Sequence, residues 1–206
     1  MPTTRKLILA LVAVLGAAVA LPGPAQAQFS DSYKFLEAVR KRNDKDMQEL
    51  FEKGGPNLVN TRDQTSLDTA LHIAARQKNL RYINFLIAAG ANVNMRNAKG
   101  ETALVVASNL GFIEAVPPLI AAGARVDESS TTGETPLITA VHNRNIALMR
   151  MLLQAGADPE RTDNSGRSAR DYAKLDAKSE QLLAEIKTSA KPKTKPGQGR
   201  QVFGPK

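Results

Sequence analysis

The chain has no cysteine among its 206 residues, only two histidines, and few aromatic residues (4%). Without cysteine it can form no disulfide bond, no thiol nucleophile and no cysteine-ligated zinc site. Scarce histidine limits general acid–base chemistry, because histidine is the side chain that most readily exchanges a proton near neutral pH. Composition alone therefore excludes several classes of enzyme and metalloprotein.

The two histidines, His72 and His142, do not belong to any catalytic or metal-binding pattern. Neither has a further histidine or a carboxylate at metal-ligand spacing, and the serines have no histidine and aspartate placed to activate them. The glycines occur in turns rather than in phosphate-binding loops. The sequence therefore predicts a protein that is not an enzyme and has no catalytic, cofactor-binding or metal-binding residues.

A short pattern recurs every 33 residues along most of the chain: a hydroxyl residue, then alanine or proline, then leucine in the first three copies and Arg170 in the fourth. Alanine follows each hydroxyl residue by five positions, and glycine precedes it by two in the last three copies. The copies begin at Thr69, Thr102, Thr135 and Ser168. A fixed period of this length is typical of stacked-repeat proteins.

The repeated segments resemble the ankyrin repeat family, whose unit carries a TPLHxAA core and a helix that ends in a Gly-Ala turn. The best matches are "TALHIAA" at 69–75 and "GETPLITAV" at 133–141, whereas "GETALVVAS" at 100–108 and "GRSARDYA" at 166–173 are weaker. The resemblance implies an all-α solenoid of about five helix–turn–helix units with hairpin-like loops. It also implies a binding scaffold, and for His72 a structural hydrogen bond between the loops of adjacent repeats.

The register places an array at 28–188. Its units are 31–60, 61–94, 95–127, 128–160 and 161–188. The first unit is degenerate, and aligning Gly54 with Gly90 leaves three extra residues in an exit loop over 54–67. Polar residues dominate the first and last units, as the ends of a soluble solenoid require.

Helix signals agree with this register. Each of the four hydroxyl residues can cap a first turn, and Pro136 is suited to the position just inside one. Apolar positions recur at helical spacing, so we expect one leucine of each central helix to be buried. These leucines are Leu71, Leu86, Leu104, Leu119, Leu137 and Leu152.

Pro117 and Pro118 fall inside an expected helix of the third unit. Because an interior proline removes a hydrogen bond and clashes with the preceding turn, we expect the regular helix to begin near Pro117, after a distorted turn over 112–116. The irregularity is either a tolerated local feature or a kink used by a partner.

The N-terminus resembles an export signal. Arg5 and Lys6 precede an uncharged apolar run, 7–21, and Ala25-Gln26-Ala27 forms a small-x-small cleavage site. The alternative is a membrane anchor, but the run is shorter than the roughly 20 residues that span a bilayer. We expect residues 1–27 to be removed and the protein to be periplasmic, or otherwise secreted. The absence of cysteine excludes a lipoprotein start.

The chain's net charge of +8 is distributed unevenly. Residues 28–186 hold 20 basic and 20 acidic residues, whereas 187–206 hold six basic residues and no acidic one. Pro, Gly, Lys and Gln without periodicity predict disorder, so residues 189–206 are expected to form a disordered basic tail. It is either simply solvated or attracted weakly to anionic envelope surfaces. The balanced array and the export signal argue against a nucleic-acid partner.

In the ankyrin family the concave side, built from loop tips and exposed inner-helix positions, binds partners. The corresponding positions here are Arg76, Gln77, Ala98, Lys99, Glu101, Asn109, Leu110, Thr131, Thr132, Glu134, His142, Asn143, Asn164, Ser165 and Arg167. Only Arg76 and Arg167 belong to the residue types that dominate binding energy. Either the interface is modest, or the partner uses another face.

Two functional interpretations follow. The first is a monomeric, non-catalytic periplasmic scaffold that binds another exported protein. The second is an envelope-associated structural or adhesion protein that attaches through the basic tail.

Overall fold

The computed structural model describes residues 30–190, and the predicted signal (1–27) and residues 191–206 of the predicted tail lie outside this part of the chain. The helices are α1 Asp31–Lys41, α2 Asp44–Gly54, α3 Pro56–Val59, α4 Ala70–Arg76, α5 Leu80–Ala88, α6 Ala103–Asn109, α7 Val116–Ala121, α8 Pro136–His142, α9 Ile146–Gln154, α10 Ala169–Leu175 and α11 Ser179–Ser189. In the described part there is no strand, only an isolated bridge between Thr162 and Ser168.

All of these helices except α3 form five antiparallel pairs that stack in chain order. The inner helices, α1, α4, α6, α8 and α10, each pack on the next, and the outer helices, α2, α5, α7, α9 and α11, pack against them. From α4 onward the inner helices begin 33 residues apart. The predicted all-α solenoid is therefore confirmed.

The core lies between the inner and outer layers. The six leucines expected to be buried are each at most 1% exposed, which confirms that prediction. Ala74, Ala107, Ala140 and Ala173 are fully buried on the inner helices. Because these side chains are small, neighbouring inner helices can approach closely.

Hydroxyl side chains begin the inner helices as expected. Thr102, Thr135 and Ser168 accept hydrogen bonds from the backbone N–H three residues later, at 3.2–3.3 Å. Each bond satisfies a backbone donor that the first turn leaves unpaired. At Thr69 both the backbone N–H and the hydroxyl lie within hydrogen-bond distance of the His72 imidazole.

The two prolines have the predicted effect. A 3-10 turn spans Ile113–Ala115, and α7 begins at Val116 with Pro117 and Pro118 in its first turn. There their missing N–H groups and fixed φ cost little. The regular helix is shortened rather than kinked.

The first unit differs from its sequence interpretation. Helix α2 continues through Gly54, and the residue with positive φ is Gly55, at +64°. The expected exit loop contains the short helix α3, which Pro56 starts and which buries Leu58 and Val59. Part of the exit loop therefore adds to the core instead of forming a plain loop.

Main-chain hydrogen bonds join the loop tips, which are the turns at 63–68, 97–101, 130–134 and 163–167. The bonds run from the N–H of Ala98 to the carbonyl of Ser66, from Thr131 to Lys99 and from Asn164 to Thr132, at 2.9–3.1 Å. These bonds fix the spacing between consecutive tips and confirm the hairpin-like loops.

On the opposite edge, a polar side chain of each of the first three repeats reaches the next repeat. Asn60 accepts from the N–H of Asn92 at 2.7 Å, and Asn94 accepts from the N–H of Arg125 at 2.9 Å. Asp127 accepts in the same way from Asp158 at 3.0 Å. Both edges of the stack are thus held by hydrogen bonds between repeats.

Candidate functional site

The candidate site is the surface formed by the loop tips and the C-terminal ends of the inner helices, which we call the inner face. The 33-residue period creates two rows on it. The tip row, one residue before each helix cap, is Asp68, Glu101, Glu134 and Arg167, and the helix row, seven residues after each cap, is Arg76, Asn109, His142 and Leu175.

At repeat two, the rows are joined by an ion pair. The guanidinium of Arg76 donates to both oxygens of Asp68, at 2.8 and 3.1 Å, and the side-chain amide of Asn97 donates to the same carboxylate at 3.0 Å. Burial by itself would raise the pKa of Asp68, but the bonds from Arg76 and Asn97 outweigh it and lower the pKa below the usual 3.8. Asp68 is therefore a fixed, charged anchor, and it holds Arg76 in place.

Neutral amides surround the carboxylate of Glu101 at repeat three. Asn97 donates to one oxygen at 3.0 Å and Asn109 to the other at 3.3 Å. The nearest cation, Arg76, is 3.8 Å away. Glu101 is largely buried and has no cation at hydrogen-bond distance.

The network continues into repeat four. The hydroxyl of Thr139 lies 3.1 Å from the amide oxygen of Asn109 and 3.2 Å from Oε1 of Glu134. The Nδ1 of His142 lies 3.1 Å from the same Glu134 oxygen. Hydrogen-bonded side chains thus connect the second, third and fourth repeats across the inner face.

An aromatic group ends the network at repeat five. The rings of His142 and Tyr172 meet edge to face with centroids 4.3 Å apart. The Tyr172 hydroxyl donates to Asp163 at 2.7 Å and lowers the pKa of that carboxyl well below 3.8. Arg167 lies over the Tyr172 ring, 5.9 Å from its centroid. Leu175, 70% exposed, completes this end.

His72 is a structural residue beneath this face. A backbone N–H can only donate, so the bond from Thr69 to Nδ1 (3.2 Å) means that Nδ1 accepts. The proton is therefore on Nε2, which donates to the carbonyl of Glu101 at 2.9 Å. Burial lowers the pKa of His72 below 6.5. The predicted bond between loops of adjacent repeats is present.

The predicted site residues all lie on the inner face or its tips. Lys99, Thr132 and Asn143 are exposed, as is Leu110 at 40%. The side-chain amide of Gln77 instead donates to the carbonyl of Arg40 at 2.8 Å, and its Oε1 is buried without a partner. That the exposed residues bind a partner remains a prediction.

Sequence reasoning missed several residues of the inner face, namely Asp68, Asn97, Thr139, Tyr172 and Leu175. The 33-residue period could have identified two of them from the sequence. Asp68 occupies the position of Glu101 and Glu134, and Leu175 that of Arg76. Asn97 and Thr139 carry no such signal, because their roles depend on contacts between repeats.

The inner face contains a depression between repeats two and three. It has a volume of ≈ 320 Å³ and is lined by Arg76, Glu101, Val106, Asn109 and Leu110. Its lining therefore combines the charged network with two aliphatic side chains.

The model of a family described as ankyrin repeats (3 copies) matches the chain over three overlapping ranges, residues 35–130, 71–163 and 105–186. The matches together cover most of the chain. This chain belongs to the ankyrin repeat family. Ankyrin repeats indicate a scaffold for protein–protein interaction, in a family that is generally non-catalytic.

This ankyrin-repeat chain is also similar to the ankyrin repeat and SOCS box protein 11 of Mus musculus. The two are 54% identical over 37 residues, which is 18% of this chain and 12% of the mouse protein. The similarity is therefore about the length of a single repeat.

Within residues 30–190, no group of three or more histidine, aspartate or glutamate side chains is arranged to hold a metal ion. No helix in that range combines the length and the hydrophobicity needed to cross a membrane.

Proposed function

We propose that this ankyrin-repeat protein is a monomeric, exported, non-catalytic scaffold that binds another exported protein on its inner face. The observation that carries the proposal is the hydrogen-bonded network from Asp68 to His142, which a ring contact extends to Tyr172. Side chains held by such bonds lose little further freedom on binding, so less free energy is spent on ordering them. Leu110, Asn143 and Lys99 stand exposed beside this ordered surface.

Both histidines favour a non-catalytic role. His72 is 1% exposed and has both ring nitrogens engaged, so it is not accessible to a substrate. His142 faces Glu134 and the ring of Tyr172. These contacts position the side chains of a binding surface.

A pair of matched double variants tests the location of the interface. Leu110→Arg with Asn143→Arg places two bulky cations on the inner face, and Ala88→Arg with Ala147→Arg places two on exposed positions of the outer helices. We expect the first variant to lose a protein that co-purifies with the mature chain from the periplasmic fraction. The second should retain it. Loss with the outer variant and retention with the inner one would place the interface on the other side.

Export is proposed from the basic residues, apolar run and small-x-small site of residues 1–27. Mass spectrometry of the periplasmic or secreted fraction should then find a chain that begins at Gln28. An intact Met1 terminus in the cytoplasm would remove the proposed location and the exported class of partner.

A second candidate is attachment to the envelope through the tail, favoured by the confinement of the mature chain's excess charge to residues 187–206. Exposed charges are screened over about 8 Å at physiological ionic strength, so tail binding to anionic vesicles should weaken as salt rises. Replacing Lys191, Lys193, Lys195, Arg200 and Lys206 by Gln should abolish it without changing thermal unfolding. Unchanged vesicle binding would exclude the tail as the attachment element.

A further inference from the structure

We infer that the inner face selects a partner segment in which a lysine or arginine stands next to an aliphatic side chain. The cation would bind at Glu101 and Glu134, and the aliphatic group would enter the depression beside Leu110. This inference rests on the proposed function and specifies the partner for the same surface.

The charges along the tip row support a cationic ligand. Asp68 is paired with Arg76 at 2.8 Å, whereas Glu101 has only amide donors within hydrogen-bond distance and a cation at 3.8 Å. The neighbours of Glu134 are a hydroxyl and an imidazole. The middle of the inner face therefore has two carboxylates and no lysine or arginine hydrogen-bonded to them.

The lysine and arginine side chains of the inner face are placed where they do not hydrogen-bond to these two carboxylates. Arg76 is held by Asp68, and Arg167 lies on the Tyr172 ring in repeat five. Lys99 is exposed at the tip of repeat three, where its charge is screened by water and salt. His142 faces the repeat-four carboxylate through a single nitrogen.

The two carboxylates are linked through the side chains of Asn109 and Thr139. Asn109 bonds Glu101 at 3.3 Å and its amide oxygen lies 3.1 Å from the Thr139 hydroxyl, which is 3.2 Å from Glu134. A charged donor added to such a network forms stronger bonds than a neutral one.

The aliphatic residues that line the depression explain why the proposed partner segment also carries an aliphatic side chain. Val106, which is buried, and Leu110, which is 40% exposed, both line the depression. The stems of lysine and arginine themselves cover apolar surface while the charged end stays polar. A cation beside an aliphatic residue therefore matches both the carboxylates and the depression.

Selection of phage-displayed random dodecapeptides on the mature chain, 28–206, tests the inference. We expect the enriched peptides to carry Lys or Arg next to an aliphatic residue. Their affinity should fall about tenfold or more in Glu101→Gln with Glu134→Gln, because hydrogen bonds between two charged groups are stronger than those to a neutral amide. Glu114→Gln with Glu180→Gln, at exposed positions outside the inner face, is the matched control and should change nothing.

The single variant Glu134→Gln, at the more exposed of the two carboxylates, should show a smaller loss and covers the case in which the double variant unfolds. Enriched peptides without excess cations, or with affinity unchanged by the glutamines, would overturn the inference. If such peptides still fail to bind Leu110→Arg with Asn143→Arg, the proposed interface stands. If the selected peptides bind that variant normally, or no peptide is enriched, the result counts against the interface itself.

Discussion

The Nε2 of His72 lies 2.9 Å from the carbonyl oxygen of Glu101, although 29 residues separate them. The imidazole belongs to the second repeat, and the carbonyl belongs to the loop tip of the third. Glu101 also presents its carboxylate to the inner face. A single residue therefore connects the packing between repeats to the candidate binding surface.

This relationship predicts a pH-dependent stability. Because the pKa of His72 is lowered by burial, the unfolded chain binds the proton more readily than the folded one. The contribution is fully present above about pH 6.5 and is lost as the pH falls through the lower folded pKa. Urea unfolding at pH 7.5 and 5.5 should show a lower free energy of unfolding at the acidic pH.

The variant His72→Gln isolates this effect. It should cost about 1–3 kcal/mol at pH 7.5, because buried groups lose their hydrogen bonds, and its stability should change less between the two pH values. His142→Gln, which leaves His72 in place, should keep the decrease. An unaltered pH dependence in His72→Gln would show that another group is responsible.

The side chain of Ser108 predicts a stabilising substitution. It is fully buried, and its hydroxyl has no hydrogen-bond partner. Ser108→Ala removes this unpaired group and should raise the free energy of unfolding by about 1 kcal/mol. Ser165→Ala should not stabilise, because the Ser165 hydroxyl donates to Asp163 at 2.7 Å. Urea midpoints distinguish the two, and a destabilised Ser108→Ala would mean that the hydroxyl is satisfied.

Alanine substitutions at two glycines distinguish the cost of backbone strain from that of steric contact. Gly123 and Gly133 both have positive φ, +87° and +81°. A Cβ at Gly123 meets nothing within 4 Å, whereas one at Gly133 would lie 2.6 Å from the backbone nitrogen of Asn164. Gly123→Ala should cost roughly 1–2 kcal/mol from strain, and Gly133→Ala should cost more and disturb the stacked tips. Equal losses in chemical unfolding would contradict the close approach.

Burial distinguishes two leucines of the inner helices. Leu104 is fully buried in the central repeat, and Leu175 is 70% exposed on α10. Leu104→Ala should reduce stability by about 2–5 kcal/mol through the cavity it leaves, whereas Leu175→Ala should change it by less than about 0.5 kcal/mol. Thermal unfolding of both variants measures the contrast. A small loss for Leu104→Ala would argue against a core between the layers.

The fold follows from the sequence because a repeated pattern reports the same local environment several times. The period located Leu104 and Leu119 in the core, and proline chemistry located the start of α7 within one residue of Val116, where it begins. Helix α3 could not be located in this way, since it lies in the exit loop of the first unit, which is three residues longer than the corresponding loops of other repeats.

The candidate site is less predictable for a different reason. Period and exposure indicate which positions face outward, and they identified Glu101 and His142. They do not indicate that Asp68 fixes Arg76 or that Thr139 connects Asn109 to Glu134. Such pairings depend on the distance between side chains of neighbouring repeats, which only the packed stack defines.

Site-specific photo-crosslinking in cells that produce the protein tests the central claim most directly. A photoreactive phenylalanine analogue would replace Leu110 or Asn143 on the inner face, and Ala88 or Ala147 on the outer helices as controls. The account predicts a discrete adduct with one exported protein from the inner positions and none from the outer ones. Adducts formed only from Ala88 or Ala147 would contradict it.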